Sequence, residues 1–535
     1  MTEVAVEAYG SWSLDFYDFT VGLDAAEDEV LAGFGDVYER AARNGARQGT
    51  PILLSPSGSA DARINLFFRL SRVAEKRPRT WRRYAYSLVV WLDFLEGLGR
   101  SWDAATTADF DAFKYWRMTD HRNDGRVRAT SFDADRAALN SFYRWAGERY
   151  GVVNPVPTVA GPEVDDLEVA ARDGRRDPAR PAGAPRRQVK WLLRPAFEQW
   201  RDVGLRGFGF DGRRRLGWRG FNEDRDAAFV DGLYGTGLRL AEWSSVLDVE
   251  LPAEDEAGRF PKAWLAAACI KGGRAGRHYR IPRSVMKEIA AYTDPVEGSR
   301  AEAIGRARRK GRYDKVRGMR IVTGCNRHSR TLYVLGPAGR AALSLDTITP
   351  EERLRLFRKT PDGLEPLALW LGNDGMPKQA HSWEKTFQTA NARVAQEWAS
   401  AHGREEDDDL ACPLWARPHM ARHSFALRWF SILSVVWEHR LGGFTDAEKR
   451  DLREQFGDVW FQLATLLGHS SPEVTRDWYL EPFTGLQVDY ILSLLDEEER
   501  TALDRLVSRI AQDSGRVLTP VQPGTESVEG QEGAR

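Results

Sequence analysis

The stretch 152–188, which opens VVNPVPTVAGP and closes on RPAGAPRRQ, is crowded with proline, glycine and charge and has no apolar periodicity. Such a segment cannot continue a helix or a buried strand, so it divides the chain into at least two separately folding parts. At 535 residues with 42% hydrophobic and 11% aromatic content, the chain can fill two or three cores.

Before the break the pattern is helical. In TWRRYAYSLVVWLDFLEGLG, residues Trp81, Tyr84, Ala85, Leu88, Trp91, Leu92 and Leu95 recur at spacings of three and four, and Gly97 and Gly99 stop the run. Thr107 is the expected N-cap of a second helix, and Phe132, Leu139, Phe142, Tyr143 and Ala146 repeat the spacing in a third. Residues 61–155 therefore predict a compact helical domain, with 1–60 as an N-terminal arm or appendage and 156–189 as linker. A second domain is expected over 190–512, and 513–535, lacking large apolar residues, reads as a disordered tail.

Three cysteines, Cys269, Cys325 and Cys412, lie far apart, which supports neither a disulfide framework nor a cysteine zinc site. No secretory leader and no run of about 18 apolar residues is found, so a cytoplasmic protein is expected. The net charge of −1 conceals local excesses: 14 Lys+Arg against 5 Asp+Glu over 171–220, and 11 against 2 over 300–330. Basic blocks of this kind suit a nucleic-acid partner, although a solvated surface has the same composition.

The second domain holds four short segments of chemical interest. TGLRLAE breaks a helix at Gly235-Thr236-Gly237 and starts another at Arg239, with Glu242 three residues on; alone it is a helix-turn-helix with one arginine. WLAAACIKGGRAGRHYRIP reads as a strand over 264–270, a glycine-rich turn and a returning strand to Ile281, with Lys271 where the first strand ends. In RPHMARHSFALRWF, His419 and Arg422 share one helix face while Phe425, Ala426 and Trp429 turn toward a core. His419 and His423 have the i, i+4 spacing of a zinc helix, but HMARH lacks the HExxH glutamate and an arginine there repels a cation, so no metal site is expected. LLGHSSPEVTRDWYLEPF carries His469, then Thr475, Trp478 and Tyr479.

In this order, over about 240 residues, the four segments closely resemble the catalytic domain of the tyrosine recombinases, the phage-integrase and Xer-type family that includes mobile-element integrases. The helical region at 61–155 resembles the family's core-binding domain, so the likeness covers roughly 61–495. It implies a mainly α fold with a small β-sheet: a helical SAM-like core-binding domain plus a mixed α+β catalytic domain. The implied function is site-specific DNA recombination, cleaving and rejoining DNA through a 3′-phosphotyrosyl intermediate with no cofactor, metal or ATP.

The resemblance carries roles onto individual residues. Arg239 and Arg422 would clamp the phosphate, His419 would take the proton of the attacking phenol, and His469 would donate a hydrogen bond to the phosphate. Lys271 would protonate the leaving 5′-oxygen, and Tyr479 would attack. Glu242 would support Arg239, and His423 would buttress its helix. The chemistry agrees, since guanidinium forks match phosphate oxygens and a phenol of pKa near 10 needs a base or a cationic pocket. Arg186, Arg187, Lys190, Arg213, Arg214, Arg215, Arg274 and Arg277 are the expected DNA contacts. Expected partners are double-stranded DNA at a specific site, three further copies forming a tetramer on two duplexes, and an accessory directionality factor, in a bacterial cytoplasm at the nucleoid. A helix within 480–510 would dock in trans or pack in cis.

The sequence departs from the family pattern at three places. The intervals Lys271 to His419 and Arg422 to His469 are each about twice the family's, which implies insertions near 295–380 and 430–458. The tyrosine usually follows the histidine by nine positions; here Trp478 stands there and Tyr479 comes one later. A type IB topoisomerase shares the chemistry, and a catalytically idle DNA-binding protein shares the fold. Relaxation without a specific site would mark the first, and specific binding without a covalent adduct the second.

Overall fold

The computed structural model describes residues 11–19, 36–76, 78–157, 190–220, 222–252, 258–272, 275–336, 339–402, 412–441, 443–469, 472–473, 475 and 517–518. The chain divides into two units, Met1–Arg186 and Arg187–Arg535.

The three longest helices among the described residues of the first unit are α1 (Pro78–Gly97), α2 (Thr107–Met118) and α3 (Ala129–Tyr150). Of the periodic positions in α1, Trp81, Ala85, Leu88, Trp91, Leu92 and Leu95 are buried, which is the stripe a helix turns toward a core. The N-cap of α2 is Thr106, one residue before the expected one, because Asp109 can return a hydrogen bond to its backbone N–H and complete a capping box. Polar atoms inside are paired in series: Trp91 Nε1 donates to the Tyr143 hydroxyl at 2.8 Å, which donates to the Trp102 carbonyl at 2.8 Å.

Among the described residues before 61, Trp12, Leu14 and Leu53 pack into the helical core. Strands β1 (Ser13–Phe16) and β2 (Pro51–Leu54) pair antiparallel, Leu53 is fully buried in the helical core, and the Trp12 N–H donates to Asp93 of α1. Burial alternates along β2, with Pro51 and Leu53 buried, and α1 packs against the strand.

In the second unit, α4 (Arg194–Leu205), α5 (Glu223–Thr236) and the short α6 (Leu240–Ser244) precede a hairpin of β3 (Lys262–Leu265) and β4 (Arg277–Arg280). The first strand is shorter than expected: it stops at Leu265, and Ala267–Cys269 forms a 3₁₀ turn that buries Cys269 in the core. Helices α7 (Arg283–Thr293) and α8 (Ser299–Arg309) follow. Next comes a five-stranded sheet of β5 (Arg320–Asn326), β6 (Thr331–Gly336), β7 (Gly339–Ser344), β8 (Leu356–Thr360) and β9 (Gly363–Pro366), in the order β9-β8-β5-β6-β7. Only the β5–β8 pairing in it is parallel. Leu332, Val334 and Leu356 pack beneath this sheet, while Tyr333 and Leu335 stay exposed.

The chain then returns to the core through α9 (Ser382–Ala401), α10 (Pro418–Leu441), α11 (Asp446–Phe456) and α12 (Val459–Leu467). Helix α5 is buried along Ala227, Ala228, Phe229, Val230 and Leu233, with the Phe229 ring stacked on Trp383. Its Gly232 admits Trp243, whose ring would lie 2.2 Å from any Cβ placed there. The tail is not wholly without structure: Val517–Leu518 pairs in parallel with Trp191–Leu192, since this short apolar step can complete an open backbone edge.

Candidate active site

The site begins where α5 ends. Gly237 closes that helix at φ +65°, a conformation side chains resist, and a Cβ there would meet the Phe425 ring of α10 at 2.4 Å. The glycine thus lets α5 and α10 approach and turns the chain into Arg239, the N-cap of α6. Glu242, 1% exposed, accepts from the Arg239 backbone N–H at 2.9 Å and from its guanidinium at 2.8 Å.

Arg422 is also 1% exposed. It donates to the Gly237 carbonyl, to the Leu467 carbonyl at 2.8 Å, and to His469 Nε2 at 3.0 Å. A guanidinium has no acceptor, so Nε2 holds a lone pair and Nδ1 holds the proton, which it donates to Thr475 Oγ1 at 2.8 Å. Burial and the neighbouring Arg422, Arg239 and Arg277 push the His469 pKa down to about 3, so the ring is neutral at physiological pH. The resemblance assigns His469 a donated hydrogen bond to phosphate; here its Nε2 instead accepts from Arg422.

A third arginine enters the pocket. Arg277, the first residue of β4, was expected at a DNA-facing surface, but its side chain runs inward and is 15% exposed. It donates to Glu242 at 3.4 Å and to the Leu466 carbonyl at 3.3 Å. Burial and the charges of Arg422 and Arg239 lower its pKa to about 10, against the pull of Glu242. For Glu242 burial acts upward, yet Arg422, Arg239 and Arg277 outweigh it and hold the carboxyl below its usual range. Three guanidinium groups around one carboxylate and a neutral imidazole leave an excess of positive charge at the site, which suits an anion.

Other expected site residues lie at various distances from this centre. His419 is exposed on the first turn of α10, its ring centroid 6.4 Å from that of half-buried His423. Lys271 is exposed at the start of the hairpin turn, where Gly272 adopts φ +66°. Lys190 lies over the Trp415 ring at 5.2 Å. Arg214 pairs with Glu223 at 2.6 Å and Arg215 with Glu397 at 2.9 Å, while Arg213 is exposed. Tyr479, Arg186, Arg187, Arg274 and the 480–510 segment lie outside the described residues.

Two contributors escaped the sequence reading. Thr475 is fully buried and fixes the His469 tautomer, but nothing in a single threonine announces this. The inward turn of Arg277 had a signal: it pairs with Leu265 across the hairpin, and cross-strand partners face the same way.

The described site is thus a cluster of three arginines around Glu242 beside a neutral His469. Residues 64–149 match the family model for the phage integrase N-terminal SAM-like domain. No curated protein sequence matches the chain. Among solved structures it is similar to the XerH site-specific recombinase bound to difH substrate (11% identity, covering 85% of this chain and 88% of that one, TM-score 0.38). It is also similar to the Tn1549 transposon integrase in complex with circular intermediate DNA (15%, 72% and 85%, 0.33) and to XerA recombinase (12%, 82% and 93%, 0.25). Among the described residues no helix is long and apolar enough to cross a membrane.

Proposed function

We propose that the protein is a site-specific DNA recombinase, an integrase or transposon recombinase, that cuts and rejoins double-stranded DNA through a 3′-phosphotyrosyl intermediate. The observation that carries this reading is the convergence of Arg239, Arg277 and Arg422 on Glu242 beside His469. Attack on a phosphodiester places added negative charge on its non-bridging oxygens, and the fixed guanidinium groups of Arg239 and Arg422 would stabilise that charge without reorganising. Glu242 holds the Arg239 fork in place, and the ordered Arg422–His469 pair presents the opposite wall.

In the proposed reaction the Tyr479 oxygen forms a bond to phosphorus while the bond to the 5′-oxygen breaks. The phenolic proton passes to His419, and Lys271 supplies one to the departing oxygen. The new phosphotyrosine retains the energy of the diester, so a different 5′-hydroxyl can reverse the step without ATP or metal. A tetramer on two duplexes would exchange the strands, with an accessory factor setting direction.

The test is a nicked suicide duplex carrying the end sequence of the element, resolved on a denaturing gel. Wild type should give a covalent protein–DNA band that survives magnesium chelation, and Tyr479→Phe should give none. A band that persists in the variant rules out Tyr479 as nucleophile; its absence from a duplex that wild type binds overturns the reading.

A further inference from the structure

We propose that Arg277 is a positioning residue that docks the β3–β4 hairpin onto the arginine–glutamate centre, so that proton delivery from Lys271 to the leaving oxygen depends on it. This rests on the role given to Lys271 above. The hairpin carries Lys271 on its exposed turn, and Arg277 begins the returning strand six positions later. Its guanidinium spans two separate parts of the pocket, Glu242 of α6 and the Leu466 carbonyl of α12. It also lies against Gly468, the residue before His469, where a Cβ would fall 2.1 Å from Arg277 Nε. That glycine closes α12 at φ +67°, so it serves both the helix end and the arginine.

The opposite face of the hairpin is held by other means. Trp264 Nε1 donates to Asp346 at 2.7 Å, and Arg330 stacks over the Trp264 ring at 4.2 Å while bonding the same carboxylate. Asp346 follows β7 of the five-stranded sheet, so this sheet braces one side of the hairpin and Arg277 anchors the other.

Packing alone gives no reason for a cation at position 277. The side chain is buried beside two like charges, its two hydrogen bonds are long, and its Nε has no partner. An apolar residue of similar length would fill the space at lower cost. The tie between the hairpin and the turn before His469 is what only the guanidinium supplies.

The test compares two leaving groups. A 5′-bridging phosphorothiolate releases a thiolate, which needs little protonation, so it bypasses a general acid while leaving the phosphate clamp in use. On the ordinary duplex, Arg277→Met should cut about a hundredfold more slowly than wild type, the scale of a lost general acid. On the phosphorothiolate it should recover to within about tenfold, with DNA binding and circular dichroism unchanged. Arg277→Lys, which keeps the charge, should fall between. Lys271→Ala is run alongside. If Lys271→Ala recovers and Arg277→Met does not, the docking role is wrong. If Lys271→Ala itself fails to recover, the general-acid reading is wrong and the docking proposal falls with it. No loss in Arg277→Met on the ordinary duplex also overturns it.

Discussion

Arg422 and His469 stand 47 positions apart in the chain, yet the guanidinium of the first donates to Nε2 of the second at 3.0 Å. The same guanidinium satisfies the carbonyls that end α5 and α12, so the contact is fixed by backbone on both sides. A cation held this way is set at one height in the pocket before any phosphate arrives.

The neutral state of His469 makes stability depend on pH. Its folded pKa, near 3, lies below the ordinary 6.5, so between these values the unfolded chain binds the proton and the folded chain does not. Stability should therefore fall as pH drops from about 6.5 toward 3. Calorimetric melts of wild type and His469→Gln at pH 7 and pH 5 check this: the variant should lose less stability between the two. An equal loss in both would mean that the ring is charged in the fold.

Among the described residues, Glu242 is the carboxylate that bonds both Arg239 and Arg277. Glu242→Gln should destabilise the second unit by about 3–5 kcal/mol, the usual consequence of removing one partner from a buried ionic group. Urea unfolding of the full chain measures it. A change under about 1 kcal/mol would show that solvent, not the carboxylate, balances the arginines.

Gly237→Ala places a methyl group against the Phe425 ring on a backbone of positive φ. Left-handed strain and overpacking together predict a loss of about 2–4 kcal/mol. Gly272→Ala is the comparison: φ is +66° there but nothing lies within 4 Å of the added carbon, so only the strain should register. Thermal unfolding of both variants separates the two contributions.

Legibility followed the reach of each interaction. The stripe from Trp81 to Leu95 is local, and the buried face of α1 is that stripe. Glu242 lies one helical turn from Arg239, and their contact was implied by the family resemblance. The five-stranded sheet was not: the reading marked an insertion over its residues, but β5 to β7 are short, bulged at Val322/Gly324, and exposed along β7, which blurs the alternation. The inward course of Arg277 and the Thr475 bond to His469 depend on chain segments brought together only by the fold.

The groups that meet at the pocket come from positions 239, 242, 277, 422, 469 and 475. Such a centre cannot assemble before the chain has been made as far as Thr475. A nascent chain, or one cut short anywhere before Thr475, lacks the constellation however well its earlier helices are made. The wide separation thus sets an order in time: the proposed means to break a DNA strand come into being only after translation has passed the last of these residues.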